Sequence, residues 1–189
     1  MPAPTRSAQD VEREPFFTIG HSTHTLDQFV GLLHESGIKL VVDVRKLPGS
    51  KRYPQFNQDA LAPGLEDAGV RYRREEALTG RRPVSRDVPF DVNGWWENRS
   101  FHNYADHALS DEFAGALDDL RDIGHNSRVA LMCSEAVWWR CHRRIIADHL
   151  LASGEDVRHI LSPGHVDLAV LSSGAVIGRR GQVTYPAGR

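Results

Sequence analysis

Short apolar runs alternate with amphipathic stretches along almost the whole chain. The run FFTIG at residues 16–20 is followed by STHTLDQFVGLLHESG, where Leu26, Phe29, Val30 and Leu33 recur at helical spacing. Thr25 and Gln28 fit a capping box, with Thr25 as N-cap and Gln28 at the third helical position, and Gly37 predicts the stop. KLVVDVR is β-branched and nearly continuous, the pattern of a strand buried on both faces. The loop KLPGSKRYPQF leads to a helix over 57–68 that stops at Gly69, and VRYRREE predicts a third strand. Helical periodicity returns over 105–122. RVALMC then predicts a strand, 136–153 a helix ending at Gly154, DVRHIL a further strand, and VDLAVLSSGAVIGRRGQVTYP a last strand or hairpin.

Strands separated by helices imply parallel neighbours, because parallel pairs need crossover connections. The predicted fold is therefore α/β, a three-layer sandwich with a mostly parallel, Rossmann- or flavodoxin-like sheet and helices on both faces. One domain is expected over 16–186, preceded by a disordered tail at 1–15 and interrupted by an irregular insertion at 79–104, rich in Gly, Pro and Asn. Ligands in open sheets of this kind sit outside the carboxyl ends of the strands. The segments that follow the predicted strands are GHST, DVRKLPGS, REEALTGRR and CSEAVWWRCHRR, so the reactive side chains gather on one edge.

Composition narrows the class. With 189 residues, 40% hydrophobic and 25% charged, the chain is an ordinary globular one. A net charge of −2 argues against a wholly basic nucleic-acid binder but leaves room for a basic cleft, since Arg45, Lys46, Lys51, Arg52, Arg81 and Arg82 crowd the first half. No apolar run approaches the roughly 18 residues of a membrane helix, and MPAPTRSAQDVEREP has no apolar core for a secretory signal. A cytoplasmic protein without a membrane partner is expected. Two cysteines are too few for a disulfide framework, although a reversible Cys133–Cys141 bond stays open.

Within CSEAVWWRCHRR, Cys133 falls where strand gives way to helix. The positive end of the helix and the guanidinium groups of Arg140, Arg143 and Arg144 would favour its thiolate. The alternative is that each cysteine is a buried apolar filler. Cys141 and His142 are adjacent on the predicted helix, so they point about 100° apart and cannot both face one small site without local distortion. A phosphatase-type loop needs five residues between Cys and Arg; here Arg140 is one position late and no glycine intervenes, which also weighs against a sulfur-transfer loop. The paired ligand spacing of a structural zinc site is absent, so no residue is assigned to a metal. A mixed site of Cys133, Cys141, His142 and His21, or haem on one of them, remains an alternative.

After strand one, backbone amides and the Ser22 and Thr23 hydroxyls would suit a phosphate or carboxylate, and His21 would bind, shuttle protons or bond within the sheet edge. Asp43 and Arg45 project to the same side, either in a salt bridge, mutual or directed to a helix, or with Arg45 gripping an anion. Trp95, Trp96, Phe101 and Tyr104 either stack bases or pack the insertion. His24, His102, His107 and His165 are expected at the surface.

TIGHS, VDVRKLPGS, YPQFN and the signature Cys-x-Glu, five residues, Cys-His-Arg resemble the family called domain of unknown function 488. The resemblance spans 16–186. Ser134 and Trp138 stand where many relatives carry Ala and Pro. It implies an α/β three-layer fold and an intracellular, mostly prokaryotic protein, brings no established reaction, and includes relatives loosely linked to DNA repair. The residues carried over are His21, Ser22, Asp43, Arg45, Cys133, Glu135, Cys141, His142 and Arg143. The expectation is an enzyme, hydrolase or transferase, acting on a phosphate-bearing or anionic substrate such as a nucleotide or nucleic-acid end. Arg45, Arg143, Ser22, Thr23, Cys141, His142 and the amides after Gly20 would bind it. Glu135 or His21 would act as general acid or base beside Asp43, and Cys133 as nucleophile or ligand. A non-enzymatic nucleic-acid-binding module and a metal or haem sensor are the alternatives.

Overall fold

The β-branched and aromatic runs pair into one six-stranded sheet, and the helical stretches cover both of its faces. The computed structural model describes residues 13–188. Strands β1 (Phe16–Gly20), β2 (Leu40–Asp43), β3 (Arg71–Arg74), β4 (Val129–Cys133) and β5 (Val157–Ser162) run parallel, and β6 (His165–Leu168) adds to β5 antiparallel. Their order is β3-β2-β4-β1-β5-β6. A separate hairpin joins β7 (Val176–Ile177) to β8 (Val183–Thr184).

Side chains alternate across a strand, so each strand feeds two cores. Phe17, Ile19, Val41, Ala130 and Met132 pack with Phe29 and Leu33 of α1 (Leu26–Glu35) and with Leu61 and Leu65 of α2 (Gln58–Asp67). Phe16, Val42, Leu131 and Cys133 face the other way. They meet Tyr104 of α3 (Arg99–His107), Phe113 and Leu120 of α4 (Asp111–Gly124) and Ile146 of α5 (Arg143–Ala152). This is the three-layer α/β sandwich of flavodoxin-like layering that the pattern predicts, with β4 inserted between β2 and β1. The insertion matters for the site. It puts the carboxyl ends of three strands side by side, with Gly20 opposite Cys133 and Asp43 opposite Met132.

Several boundaries differ from the pattern. The helix expected over 136–153 begins only at Arg143. Residues 134–142 are a loop with a 3-10 turn at Trp138–Arg140, and Cys141 is extended (φ −132°, ψ 148°). Two anchors hold this segment out of helix. The Trp138 ring stacks on His159 at 4.4 Å, and the Arg143 guanidinium donates to the Glu135 carbonyl at 2.6 Å. The irregular stretch is shorter than 79–104, because α3 starts at Arg99 behind the N-cap Asn98, whose side chain accepts from the amides of Ser100 and Phe101. The single period over 105–122 is two helices, with Ser110 capping the second. β3 ends at Arg74, and Glu76–Leu78 is a 3-10 turn. Of the tail predicted as disordered, 1–12 lie outside the described residues. Glu14 is ordered against Arg128, N to O 2.6 Å.

Candidate functional site

On the α1–α2 side of the sheet edge, Asp43 is fully buried at the end of β2 and cannot stay charged there unpaired. Arg45, two residues on, folds back over it. Its Nε lies 2.9 and 3.1 Å from the two carboxylate oxygens and its Nη2 2.6 Å from Oδ2, while Tyr72 of β3 donates its hydroxyl at 2.8 Å. The mutual salt bridge is thus the arrangement formed. The remaining nitrogen, Nη1, sits 3.3 Å from His21 Nε2, and His21 Nδ1 is 3.0 Å from the Ser22 carbonyl. The His21 ring stacks on Phe56 at 4.2 Å. Burial, then the Arg45 charge, lowers the His21 pKa to about 4, so the ring is neutral and accepts from Arg45. Both of its nitrogens are used. Asp43, with its oxygens occupied, positions Arg45 and is not open to a substrate.

On the opposite side of the edge lie the two thiols. Cys133 ends β4, and the extended backbone at Cys141 followed by the helical turn at His142 (φ −59°, ψ −16°) brings three side chains together. The sulfurs of Cys133 and Cys141 and a ring nitrogen of His142 all lie within 4.8 Å of one another, with Cys141 Sγ 3.7 Å from His142 Nδ1. The expectation that Cys141 and His142 diverge fails because they do not sit on one continuous helix. His21 stays outside this group. Arg143 is buried to 1% exposure and fully engaged: Nε to Cys141 Sγ 3.3 Å, Nη1 to Thr18 Oγ1 3.4 Å and Nη2 to the Glu135 carbonyl. It orders the loop and the sulfur, and it is not among the residues that border the cleft over the thiols.

The thiolate assignment also moves. Cys133 is not at a helix N-terminus; its hydrogen bond to Cys141, and then burial, push its pKa up. For Cys141, burial would raise the pKa, but the Cys133 S–H bond and the Arg143 charge outweigh it and pull it down. The amides after Gly20 are not an anion cradle either, since those of His21 and Ser22 donate to the carbonyls of Cys133 and Ser134. Ser22 carries a left-handed φ of 47°, Thr23 is exposed, and neither borders the cleft over the thiols.

That cleft, about 360 Å³, is where the two halves meet. Cys133, Glu135, Cys141 and His142 line it from one side and Arg45 from the other. Its remaining wall comes from Lys46, Arg81 and Arg140 as cations, all in segments that the sequence places on this edge, from Phe101 as an apolar patch, and from Asn98 and Ser100, polar groups that sequence reasoning did not assign to the site. Among the described residues, no carboxylate pairs with Lys46, Arg81 or Arg140 within 4.0 Å. Clustering of basic residues before position 86 was the available signal; the fold contact between the 80–101 segment and the β4 end was not visible in one dimension. A wider groove of about 570 Å³ along α2 holds neither a thiol nor a cation.

The aromatic insertion packs inward. Trp96 and Tyr104 are buried, the Tyr104 hydroxyl donates to the Leu78 carbonyl at 2.7 Å, and Arg144 lies over Trp95, Trp96 and Trp138. Among the histidines expected at the surface, His165 is exposed and His24 half-buried. His102 is buried, stacked on Phe90 and 3.6 Å from Asp106, and His107 is half-buried against the Ala77 carbonyl. No helix among the described residues is long and apolar enough to cross a membrane.

A family model described as "Domain of unknown function DUF488" matches residues 25–150, a stretch that carries Asp43, Arg45 and the whole CSEAVWWRCHR signature and begins after His21, Ser22 and Thr23. No curated protein and no solved structure matches the chain.

Proposed function

The chain belongs to the DUF488 family, and from that membership, which brings no reaction with it, and from the make-up of the cleft we propose that the protein is an enzyme acting on a phosphate-bearing or otherwise anionic substrate. One observation carries this reading. Three cations that have no carboxylate partner among the described residues, Lys46, Arg81 and Arg140, surround a cleft whose floor is formed by Cys133, Cys141 and His142. Like charges gathered in a concave wall repel one another unless an anion enters, and a cleft focuses that potential. Arg81 and Arg140 offer planar forks that match phosphate geometry, with Asn98 and Ser100 as further donors. Phe101 suits the flat face of a base, so a nucleotide or a nucleic-acid end fits the wall. Glu135 is the one carboxylate on the wall among the described residues and the group for proton transfer; hydrolysis or group transfer at the cluster follows.

Calorimetric titration with inorganic phosphate and with a nucleoside monophosphate, at low and high salt, tests the assignment. Saturable binding that weakens with salt is expected. Each of Arg81→Ala and Arg140→Ala should lower affinity about tenfold, the effect of losing one charge-assisted hydrogen bond. Affinity unchanged in both variants would remove the cationic wall from the function.

A further inference from the structure

We propose that Cys133, Cys141 and His142 form a three-ligand site for zinc, with the fourth coordination position open to the cleft. Two thiolates and an imidazole are the donors that zinc prefers, and three protein ligands with one open position is the composition of a catalytic centre. The spacing fits. Zinc–sulfur bonds of about 2.3 Å and zinc–nitrogen bonds of about 2.0 Å at tetrahedral angles set sulfur and nitrogen about 3.5 Å apart and two sulfurs about 3.8 Å apart. Cys141 Sγ and His142 Nδ1 stand 3.7 Å apart, and all three ligating atoms fall within 4.8 Å, so closure on an ion asks for movements of about 1 Å or less.

The surroundings look built for that geometry. The backbone break between the 3-10 turn and α5 aims consecutive residues at one point. Gly80 leaves room for the His142 ring, since a Cβ there would lie 2.8 Å from Nδ1, and the Tyr104 ring packs 4.8 Å from the imidazole. Arg143 Nε holds the Cys141 sulfur from behind, the kind of outer-shell donor that orients a ligand. All three ligands border the cleft, so the open position faces Glu135 and the cations.

For the substrate this site rests on the anionic-substrate reading above; for the metal it stands by itself. Water in the fourth position gives a proton to Glu135, and the hydroxide oxygen bonds to the electrophilic phosphorus or carbon of the substrate. The bond to the leaving group then breaks, and that group takes the proton from Glu135. The balance is hydrolysis, with no oxidant or reductant.

The test loads the full chain with Co²⁺ or Zn²⁺ under a phosphine reductant. The expected result is one metal per chain, a thiolate-to-cobalt charge-transfer band and the visible bands of tetrahedral cobalt. Cys133→Ser and His142→Gln should each weaken binding more than about 100-fold. Because either variant can misfold, alkylation of the unaltered chain gives a second readout: Zn²⁺ should protect both thiols, and a chelator should restore their reaction. A stoichiometry below about 0.1, or thiols alkylated at the same rate with and without Zn²⁺, overturns the site. Phosphate titration of the same samples is the separate arm; it reads the cationic wall whether or not metal binds.

Discussion

A Cβ built on Gly20 would fall inside the van der Waals shell of the Glu135 carbonyl oxygen, the same oxygen that accepts from Arg143. β1 and the 134–137 loop are therefore in backbone contact. Gly20→Ala should cost about 1–3 kcal/mol by overpacking, read as a lower urea midpoint at unchanged slope. An unchanged midpoint would mean that the loop is not seated on β1. At this scale the sequence was partly legible. The spacing of Asp43 and Arg45 places both on one side, and they are found clamped together. The roles of Cys141 and Arg143 were not legible. Which cysteine faces the guanidinium, and whether that guanidinium looks inward, depends on a backbone break that residue types alone do not dictate.

At the scale of elements, local chemistry was readable where it was self-contained. The Thr25–Gln28 capping box forms with both of its hydrogen bonds, 3.2 and 2.9 Å, and the stops after α1 and α2 carry Gly37 and Gly69 at φ 66° and 74°. Thr25→Ala should lower stability by about 1 kcal/mol without touching anion or metal binding, a change checked by denaturant unfolding. Where tertiary contacts override propensity, the reading slipped. AVWWRCHRR has helical character, but Trp138 is drawn to His159 and Arg143 to the Glu135 carbonyl, so the first two turns of the expected helix become loop. The same cause hid α3: its amphipathic face is built from Phe101, Tyr104 and Ala105 among polar neighbours, and its start is set by the Asn98 cap.

At the scale of the molecule, the sheet order makes one rim the meeting place of β1, β2 and β4, and also leaves basic side chains buried in the flanking cores. His149 of α5 is 5% exposed and packs against Phe113; His159 of β5 is 1% exposed, stacked under Trp138 and bonded to Thr18 at 2.7 Å. Burial lowers the pKa of His149 to about 4, and burial followed by the Arg143 charge lowers that of His159 to about 3. Each value lies below the unfolded value of about 6.5, so between those limits the unfolded chain binds the protons that the folded chain refuses. The stability that these two rings contribute is therefore fully present above about pH 6.5 and is lost as acid is added. Near pH 5 the loss is about 1.4 kcal/mol per pH unit for each ring, and His21 and His107 push the same way. Glu155, whose pKa is lowered because the Arg121 and His125 bonds outweigh burial, adds its own loss only in the carboxylate range, below this window. Unfolding free energies at pH 5, 6 and 7 should thus show a positive slope against pH. His149→Leu, which removes one titrating ring from an apolar contact with Phe113, should flatten that slope by about 1.4 kcal/mol per unit near pH 5. An unaltered slope would mean that His149 already carries its proton in the folded core.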